Sequence, residues 1–166
     1  MSSVVTKMRD EAEEYKAGDD RPLASYTVLA SAYGAAAAGM AVFVRRRRGP
    51  LPERLSWGDL ALVTLATHRL ARLISKDPIT SPVRAAFTRY EGQSGPAELA
   101  EQVRGRGLRK AVGELVSCPF CLSQWLASAA VFGLVVAPRA TRLAASVLAV
   151  VAGADILQFA YSKLES

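Results

Sequence analysis

The stretch LVSCPFCLSQWLASAAVFGLVVA, residues 115–137, decides the class of this protein because it holds 23 consecutive residues without a charged side chain. A helix rises 1.5 Å per residue, so about 20 apolar residues cross the ~30 Å hydrocarbon core of a bilayer. In lipid the backbone must satisfy its own hydrogen bonds within the segment, which requires a helix. The stretch therefore predicts a membrane-spanning helix.

Two further runs have the same length and character. Residues 25–44 contain no charge, and residues 143–161 contain one acid, Asp155. A fourth segment, residues 55–74, has an apolar centre but carries Asp59, His68, Arg69 and Arg72. This segment either spans, with its arginines reaching to the interface, or lies along the membrane surface.

The composition supports an all-α fold. The chain has 166 residues, of which 51% are hydrophobic and only 7% aromatic, and its formal charge is +6. A buried helix of a soluble bundle normally keeps a polar stripe along one face, and residues 25–44 and 115–137 have no stripe of charged residues. We predict a small polytopic transmembrane bundle of four helices, or of three if residues 55–74 are interfacial. The predicted regions are a polar tail (1–24), an added helix with a basic turn (25–54) and a membrane domain (55–166).

The distribution of Lys and Arg predicts the sidedness of the chain, because these residues accumulate on the cytosolic side. Four spans with the N-terminus inside place 14 of the 21 basic residues in the cytosol, and three spans with the N-terminus outside place 15 there. Both arrangements put the loop 76–114 and the C-terminus in the cytosol. The four-span arrangement leaves the four arginines of residues 45–48 outside, which is its weakness.

The loop 76–114 is predicted to contain short helices and a basic cluster. Residues 82–90 have helical apolar spacing and form either an interfacial helix or a short helix packed on the protein itself. Residues 96–103 suit another short helix. A basic cluster directly before the spanning helix is expected to face anionic lipid: Arg104, Arg106, Arg109 and Lys110. No aromatic residues interleave with these arginines, so nucleic acid is not an expected partner.

Cys118 and Cys121 form a C-x-x-C at the predicted cytosolic mouth of a spanning helix. A reducing cytosol opposes a stable disulfide, and no strand pattern of a thioredoxin-like protein precedes the pair. We expect the two residues to pack the helix entrance, without a cofactor. Two alternatives stay open: a redox thiol pair, or a zinc or iron site completed by His68 and Asp77.

Asp155 is an acid inside an apolar helix, and such residues are usually paired or functional. Four spans would place it at the depth of His68 and Arg69, so we predict that it pairs with one of them. Small residues also recur every fourth position, which suits close helix packing within the chain or between copies of it. They are Ser31, Ala35 and Gly39 in one run, and Ala145, Ala149 and Gly153 in another.

Four ordered motifs resemble an uncharacterised bacterial membrane family, catalogued as domain of unknown function 1360. They are HRLARLI (68–74), DPITSPVR (77–84), GRGLR (105–109) and GELVSCPFCLSQW (113–125). The resemblance covers roughly residues 57–162 and implies a small helical protein of the bacterial cytoplasmic membrane, with residues 55–74 spanning. Some members carry a sporulation label, and the resemblance implies no particular activity. The run 25–44 lies outside it, as an added helix.

No hydrolase, kinase or nucleotide-binding motif appears in the sequence: there is no G-x-S-x-G, Walker loop or H-E-x-x-H. We therefore predict a non-enzymatic accessory or scaffold protein that presents the loop 76–114 to lipid or to a protein partner. The alternatives are a thiol- or metal-dependent membrane protein that uses Cys118 and Cys121, and a transporter subunit that uses Asp155.

Overall fold

The computed structural model describes residues 2–47 and 54–165. This part of the chain contains seven α-helices, one 3₁₀ turn (Pro78–Thr80) and one two-stranded antiparallel sheet. The elements are α1 (Ser2–Lys16), α2 (Leu23–Arg46), α3 (Trp57–Lys76), α4 (Ser81–Arg84), β1 (Thr88–Gly95), β2 (Glu98–Val103), α5 (Gly107–Ser117), α6 (Pro119–Val136) and α7 (Pro138–Leu164).

The predicted all-α class is correct for most of the chain and wrong for the loop between α3 and α5. The tail holds the helix α1, and the loop holds α4 and a β-hairpin, so the count of four helices is too low. Only residues 82–84 of the predicted helix 82–90 are helical, as part of α4, and residues 98–103 of the predicted helix 96–103 form a strand. A run of Gly, Pro and Ser at the hairpin turn gives no strand periodicity for sequence reasoning to detect.

Four long helices form a bundle in which α3 is central. It packs along both α6 and α7, and the shared core consists of Val63, Ala66, Leu134 and Ala145. Residues 55–74, whose position the sequence left open between spanning and interfacial, thus belong to the bundle.

The helices of the bundle run in alternating directions. Tyr26 near the start of α2 contacts Glu114 just before α6, and Arg47 after α2 donates to the carbonyl of Val136 at the end of α6, at 3.0 Å. The helices α2 and α6 are therefore parallel. Contacts of α3 with α7, described below, show that these two are also parallel, and the tight α6–α7 turn makes them antiparallel to the first pair.

Local chemistry sets the ends of these helices. Ser56 caps α3 by accepting a hydrogen bond from the Asp59 amide at 3.0 Å. The uncharged run 115–137 is not one helix, because it breaks at Cys118, where Pro119 starts α6. Pro at the first position of a helix loses no intrahelical bond, and Pro138 begins α7 in the same way.

Three helices, α2, α6 and α7, are long and apolar enough to cross a membrane. No more than 11% of the apolar window of any of them is buried inside the protein. Large apolar side chains of α7 point outward instead, among them Leu143 (72% exposed), Val150 (72%) and Leu157 (72%). The apolar character of these helices is thus only partly explained by packing within the chain.

Candidate functional site

A cap built from residues 77–117 lies at the end of the bundle where α3 ends and α6 begins. At its centre, Arg84 has no solvent exposure and its partner Glu101 on β2 has 6%. The guanidinium forms a bidentate pair with this carboxylate, from Nε to Oε2 at 2.7 Å and from Nη2 to Oε1 at 3.0 Å. A planar guanidinium suits a buried carboxylate because it donates two parallel bonds.

The remaining donors of Arg84 join the cap to the last turn of α3. Its Nη1 donates to the carbonyls of Ile74 and Asp77, at 2.7 and 3.1 Å, and to Thr80 Oγ1 at 2.6 Å. Thr80 Oγ1 donates in turn to the Leu73 carbonyl at 2.5 Å. These bonds satisfy carbonyls that a helix end leaves without intrahelical partners. The stretch DPITSPVR therefore forms the junction between bundle and cap.

The hairpin and α5 touch closely at a glycine. A Cβ built on Gly113 would lie 2.7 Å from Val103 Cγ1 and 3.2 Å from the carbonyl oxygen of Phe87. Only a residue without a side chain lets α5 approach the hairpin at this distance. Gly113, in the GELVSC motif, thus fixes the packing of the hairpin against α5.

A pocket of about 510 Å³ opens between the cap and the bundle. Its walls come from α3, from the C-terminal half of α7 and from the hairpin turn at Pro96 and Ala97. The polar side chains that line it are His68, Arg69, Arg72, Asp77, Glu98, Asp155, Gln158 and Ser162. Apolar lining is provided by Leu65, Ala152, Ile156 and Phe159. We take this pocket as the candidate site because it concentrates charge where two apolar helices meet the cap.

Arg69 occupies the inner side of this pocket, between two carboxylates. Its Nε lies 3.0 Å from Asp155 Oδ2, and its Nη2 lies 3.7 Å from Asp77 Oδ2. The Nε atom is buried and forms no hydrogen bond, so its N–H is not aligned with the nearby carboxylate. Nearer the surface, Arg72 pairs with Glu98 of β2. Of the two partners predicted for Asp155, Arg69 is therefore the one in contact, and His68 lines the same pocket.

A second ion pair joins α3 and α7 at the opposite end of the bundle. Arg142 donates to both carboxylate oxygens of Asp59, at 2.7 and 2.8 Å. With the Arg69–Asp155 contact, this pair shows that α3 and α7 run parallel. Charged residues of the less apolar helix α3 thus meet opposite charges on its neighbour.

The two cysteines are free, and they do not join the other residues of the predicted metal site. Cys118 caps α6 by accepting a hydrogen bond from the Cys121 amide at 3.3 Å, and Cys121 is exposed. Across residues 2–47 and 54–165, no three His, Cys, Asp or Glu side chains form a group that could hold a metal ion. His68 and Asp77 instead line the pocket.

Three of the four residues predicted to face lipid are tied to the protein itself. Arg104 donates to the Ala85 carbonyl, and Arg109 donates to the Ala86 carbonyl at 2.7 Å. Lys110 reaches Asp20, after α1. Arg106 is exposed, and within the described residues it has no such contact. The cluster therefore contributes to holding the cap together as well as to its surface charge.

The added helix α2 is attached to α6 by polar contacts that sequence reasoning did not detect. Tyr33 Oη accepts a hydrogen bond from Gln124 Nε2 at 2.6 Å and lies 2.8 Å from Ser128 Oγ. Its ring also packs edge-on against Trp125, with centroids 5.2 Å apart. Uncharged polar residues within apolar runs are the signal for such contacts, since they need partners in an apolar surrounding.

Sequence reasoning also missed two ion pairs, which join Arg72 to Glu98 and Arg84 to Glu101. The members of each pair lie 26 and 17 residues apart, and no local spacing connects them. The one signal in the sequence is the charge itself, because a charged side chain that the fold buries needs a partner.

Comparison with known proteins agrees with the resemblance read from the motifs. The family described as "Protein of unknown function (DUF1360)" matches residues 62–161, from within α3 to near the end of α7. A relative, "Sporulation protein YjcA" of Bacillus subtilis (strain 168), is 33% identical over 107 residues, which cover 63% of this chain and 91% of the relative. No solved structure matches. As expected, α2 lies outside the match, and the chain belongs to the DUF1360 family.

Proposed function

We propose that this chain is an integral membrane protein of four spanning helices, α2, α3, α6 and α7, with a non-enzymatic accessory or scaffold role. The four helices hold the cap at one face of the membrane, where it meets lipid headgroups or a protein partner. The observation that carries this proposal is the outward-facing apolar surface of α2, α6 and α7. A surface of this kind is costly in water and favourable in lipid.

The helix α3 fits a fourth span although it is less apolar than the others. Its charged residues Asp59 and Arg69 have partners on α7, and Arg72 has one on the cap. Paired charges that face a bundle interior or a membrane interface are the form in which ionisable residues occur in membrane helices.

The positions of the helix ends support the predicted sidedness. The junction of α1 and α2, the cap and the end of α7 all lie at one end of the bundle, as the contacts Lys110–Asp20 and Arg72–Glu98 indicate. With α3 spanning, 14 of the 21 basic residues fall at this end, so we assign it to the cytosol. Arg45, Arg46 and Arg47 at the end of α2 then lie outside, where Arg47 covers carbonyls at the end of α6 and stacks on Phe43.

A scaffold role is supported by the construction and the surface of the cap. Its centre is held by the buried Arg84–Glu101 ion pair, so the cap can present one fixed surface to a partner. Both apolar and basic side chains are exposed on its surface, including Ile79 (77% exposed), Val83 (68% exposed), Arg89 and Arg106. Such a surface suits the headgroup region or an amphipathic partner segment.

The proposal is tested by membrane partition and by labelling of single cysteines. We expect the protein to stay in the membrane pellet after alkaline carbonate extraction. In intact cells an impermeant maleimide should not label Cys121, whereas in inverted vesicles it should. The matched control is Arg139→Cys in a variant without native cysteines, which lies at the other end of the bundle and should label in intact cells. Recovery in the soluble fraction would refute membrane integration.

A partner is best sought by cross-linking from Arg106 and Ile79 in native membranes. In a spore-forming host, the name of the relative makes spore formation the process in which to measure the effect of deletion. If deletion leaves spore formation unchanged and no partner is cross-linked, the accessory role is contradicted. The thiol-dependent alternative is supported by one observation, the exposure of Cys121 beside a free Cys118, and its test is given below.

A further inference from the structure

We propose that the pocket between α3, α7 and the hairpin turn binds the headgroup of a phospholipid that carries a primary ammonium, of the phosphoethanolamine class. The inference rests on the proposed membrane location. It assigns a ligand to the pocket, which neither the family description nor the name of the relative does.

The shape of the pocket suits a lipid. Its volume of about 510 Å³ falls within the ~300–1,000 Å³ that is usual for small-molecule sites. Its apolar lining includes Leu65 on α3 and Ile156 and Phe159 on α7. Charged side chains of the same two helices, and Glu98 beside the hairpin turn, also line it. An amphiphile, whose acyl chains and headgroup need both kinds of lining, therefore matches this pocket.

The charges in the pocket favour a zwitterion. Three carboxylates, of Asp77, Glu98 and Asp155, line the pocket with only two guanidiniums, of Arg69 and Arg72. The excess acceptor capacity matches the three N–H donors of a primary ammonium. The guanidiniums supply donors of the geometry that a phosphate prefers.

Two further polar side chains of the pocket can reach a headgroup. His68 and Gln158 are exposed and line the pocket, and the described part of the chain gives neither of them a hydrogen bond or ion pair. Their N–H groups can donate to a phosphodiester, and the Gln158 side-chain carbonyl can accept from an ammonium.

The same chemistry argues against other lipids. A choline headgroup has a similar size but no N–H donors for the carboxylates. A phosphatidylglycerol headgroup has a negative charge without an ammonium, and it would enter a pocket that already has one carboxylate in excess. The apolar lining also predicts that the soluble headgroup alone, without acyl chains, binds weakly.

The experiment measures thermal unfolding of the purified full-length protein in a mild detergent. The added probes are dioleoyl phosphatidylethanolamine, the matching phosphatidylcholine and phosphatidylglycerol, and soluble glycerophosphoethanolamine. We expect the first lipid to raise the unfolding temperature by on the order of 5 °C at a concentration well above its Kd, and the other three to have much smaller effects. Equal shifts with all lipids, or a shift with the soluble headgroup alone, would overturn the proposal.

The variant that tests the site is His68→Phe combined with Gln158→Leu, because neither residue takes part in an ion pair that stabilises the fold. We expect it to unfold at nearly the wild-type temperature without lipid and to lose the ethanolamine-specific shift. The control is Ala41→Leu, which fills a second groove of about 480 Å³, between α2 and α6, that has an almost wholly apolar lining. This variant should keep the shift; if it loses the shift instead, the lipid binds there.

The outcomes separate this inference from the proposed function. A protein that is extracted from membranes by carbonate would contradict the membrane location, whatever its response to lipids. A protein that remains in the membrane but shows no preference for the ethanolamine headgroup would refute only the assignment of this pocket.

Discussion

Two arginines near the same end of the bundle are held in opposite ways. Arg84 in the cap is fully buried, and its five N–H groups make six hydrogen-bond contacts, two of them to Glu101 and the others to the end of α3 and to Thr80. Arg69 in α3 is 20% exposed and lies near two carboxylates, yet its buried Nε makes no hydrogen bond. One guanidinium has its hydrogen-bonding capacity filled by the protein, and the other has donors to spare.

The difference indicates which of the two arginines belongs to the architecture and which to a site. A buried charge is tolerated when its hydrogen bonds are complete, and it then fixes one arrangement of the groups around it. A charged side chain that is partly exposed and lines a cavity can also contact a ligand. The following predictions test this distinction, and they are ordered from the largest expected effect to the smallest.

Arg84→Ala should have the largest effect. It leaves Glu101 buried without its partner and frees carbonyls at the end of α3, so we expect a loss of about 3–5 kcal/mol in the free energy of unfolding. Thermal or denaturant unfolding in detergent measures this loss. Arg89→Ala, at an exposed position five residues on, is the control and should change stability by less than about 0.5 kcal/mol. Equal effects of the two variants would contradict the structural role of Arg84.

Gly113→Ala should disturb the contact between the hairpin and α5 within the cap. The added methyl group would lie 2.7 Å from Val103 Cγ1 and 3.2 Å from a backbone carbonyl, so the hairpin must shift. We expect a loss of about 1–3 kcal/mol. The control is Gly39→Ala in α2, where nothing lies within 4 Å and the change should be neutral or slightly stabilising. A neutral Gly113→Ala would show that the cap packs more loosely than described.

Asp155→Asn should have a smaller effect than Arg84→Ala, because Arg69 keeps Asp77 as a partner and the side chain of Asp155 is 41% exposed. We expect a loss of about 1 kcal/mol, in the range of partly exposed pairs. Unfolding in detergent at two salt concentrations measures the effect, and higher salt should reduce the difference from wild type. Unchanged stability would show that the pair does not join α3 to α7.

Cys118→Ser combined with Cys121→Ser should have the smallest effect. Ser is at least as good a cap for α6 as Cys, so we expect stability to change by less than about 0.5 kcal/mol. A scaffold should keep its partner and its phenotype, measured by pull-down and by a complementation assay. Loss of function in a stable variant would favour the thiol-dependent alternative over the scaffold.

The bundle was largely predictable from the sequence, whereas the cap was not. The uncharged runs predict α2, α6 and α7 because about 20 consecutive apolar residues are typical of a membrane-spanning helix. Residues 88–103 lack such a pattern: β1 reads TRYEGQSG, with no alternation of apolar and polar residues. Two contacts hold the hairpin in place: the ion pair of Glu101 with Arg84, and the close approach of Val103 to Gly113. Both join residues far apart in sequence.

The candidate site was predictable only in part, for the same reason. Equal depth in two parallel helices was enough to bring Asp155 together with His68 and Arg69 as candidates. Nothing in the sequence placed Arg72 opposite Glu98, or turned a predicted metal ligand, Asp77, toward Arg69.

By itself, the sequence determined where the three long apolar helices lie and that each is long enough to cross a membrane, since length and the absence of charge are local properties. The tertiary structure decided which charges meet, which arginine is fully bonded and which lines the pocket. Those outcomes depend on distances between residues that are remote in the chain, and only the packed bundle and its cap fix such distances.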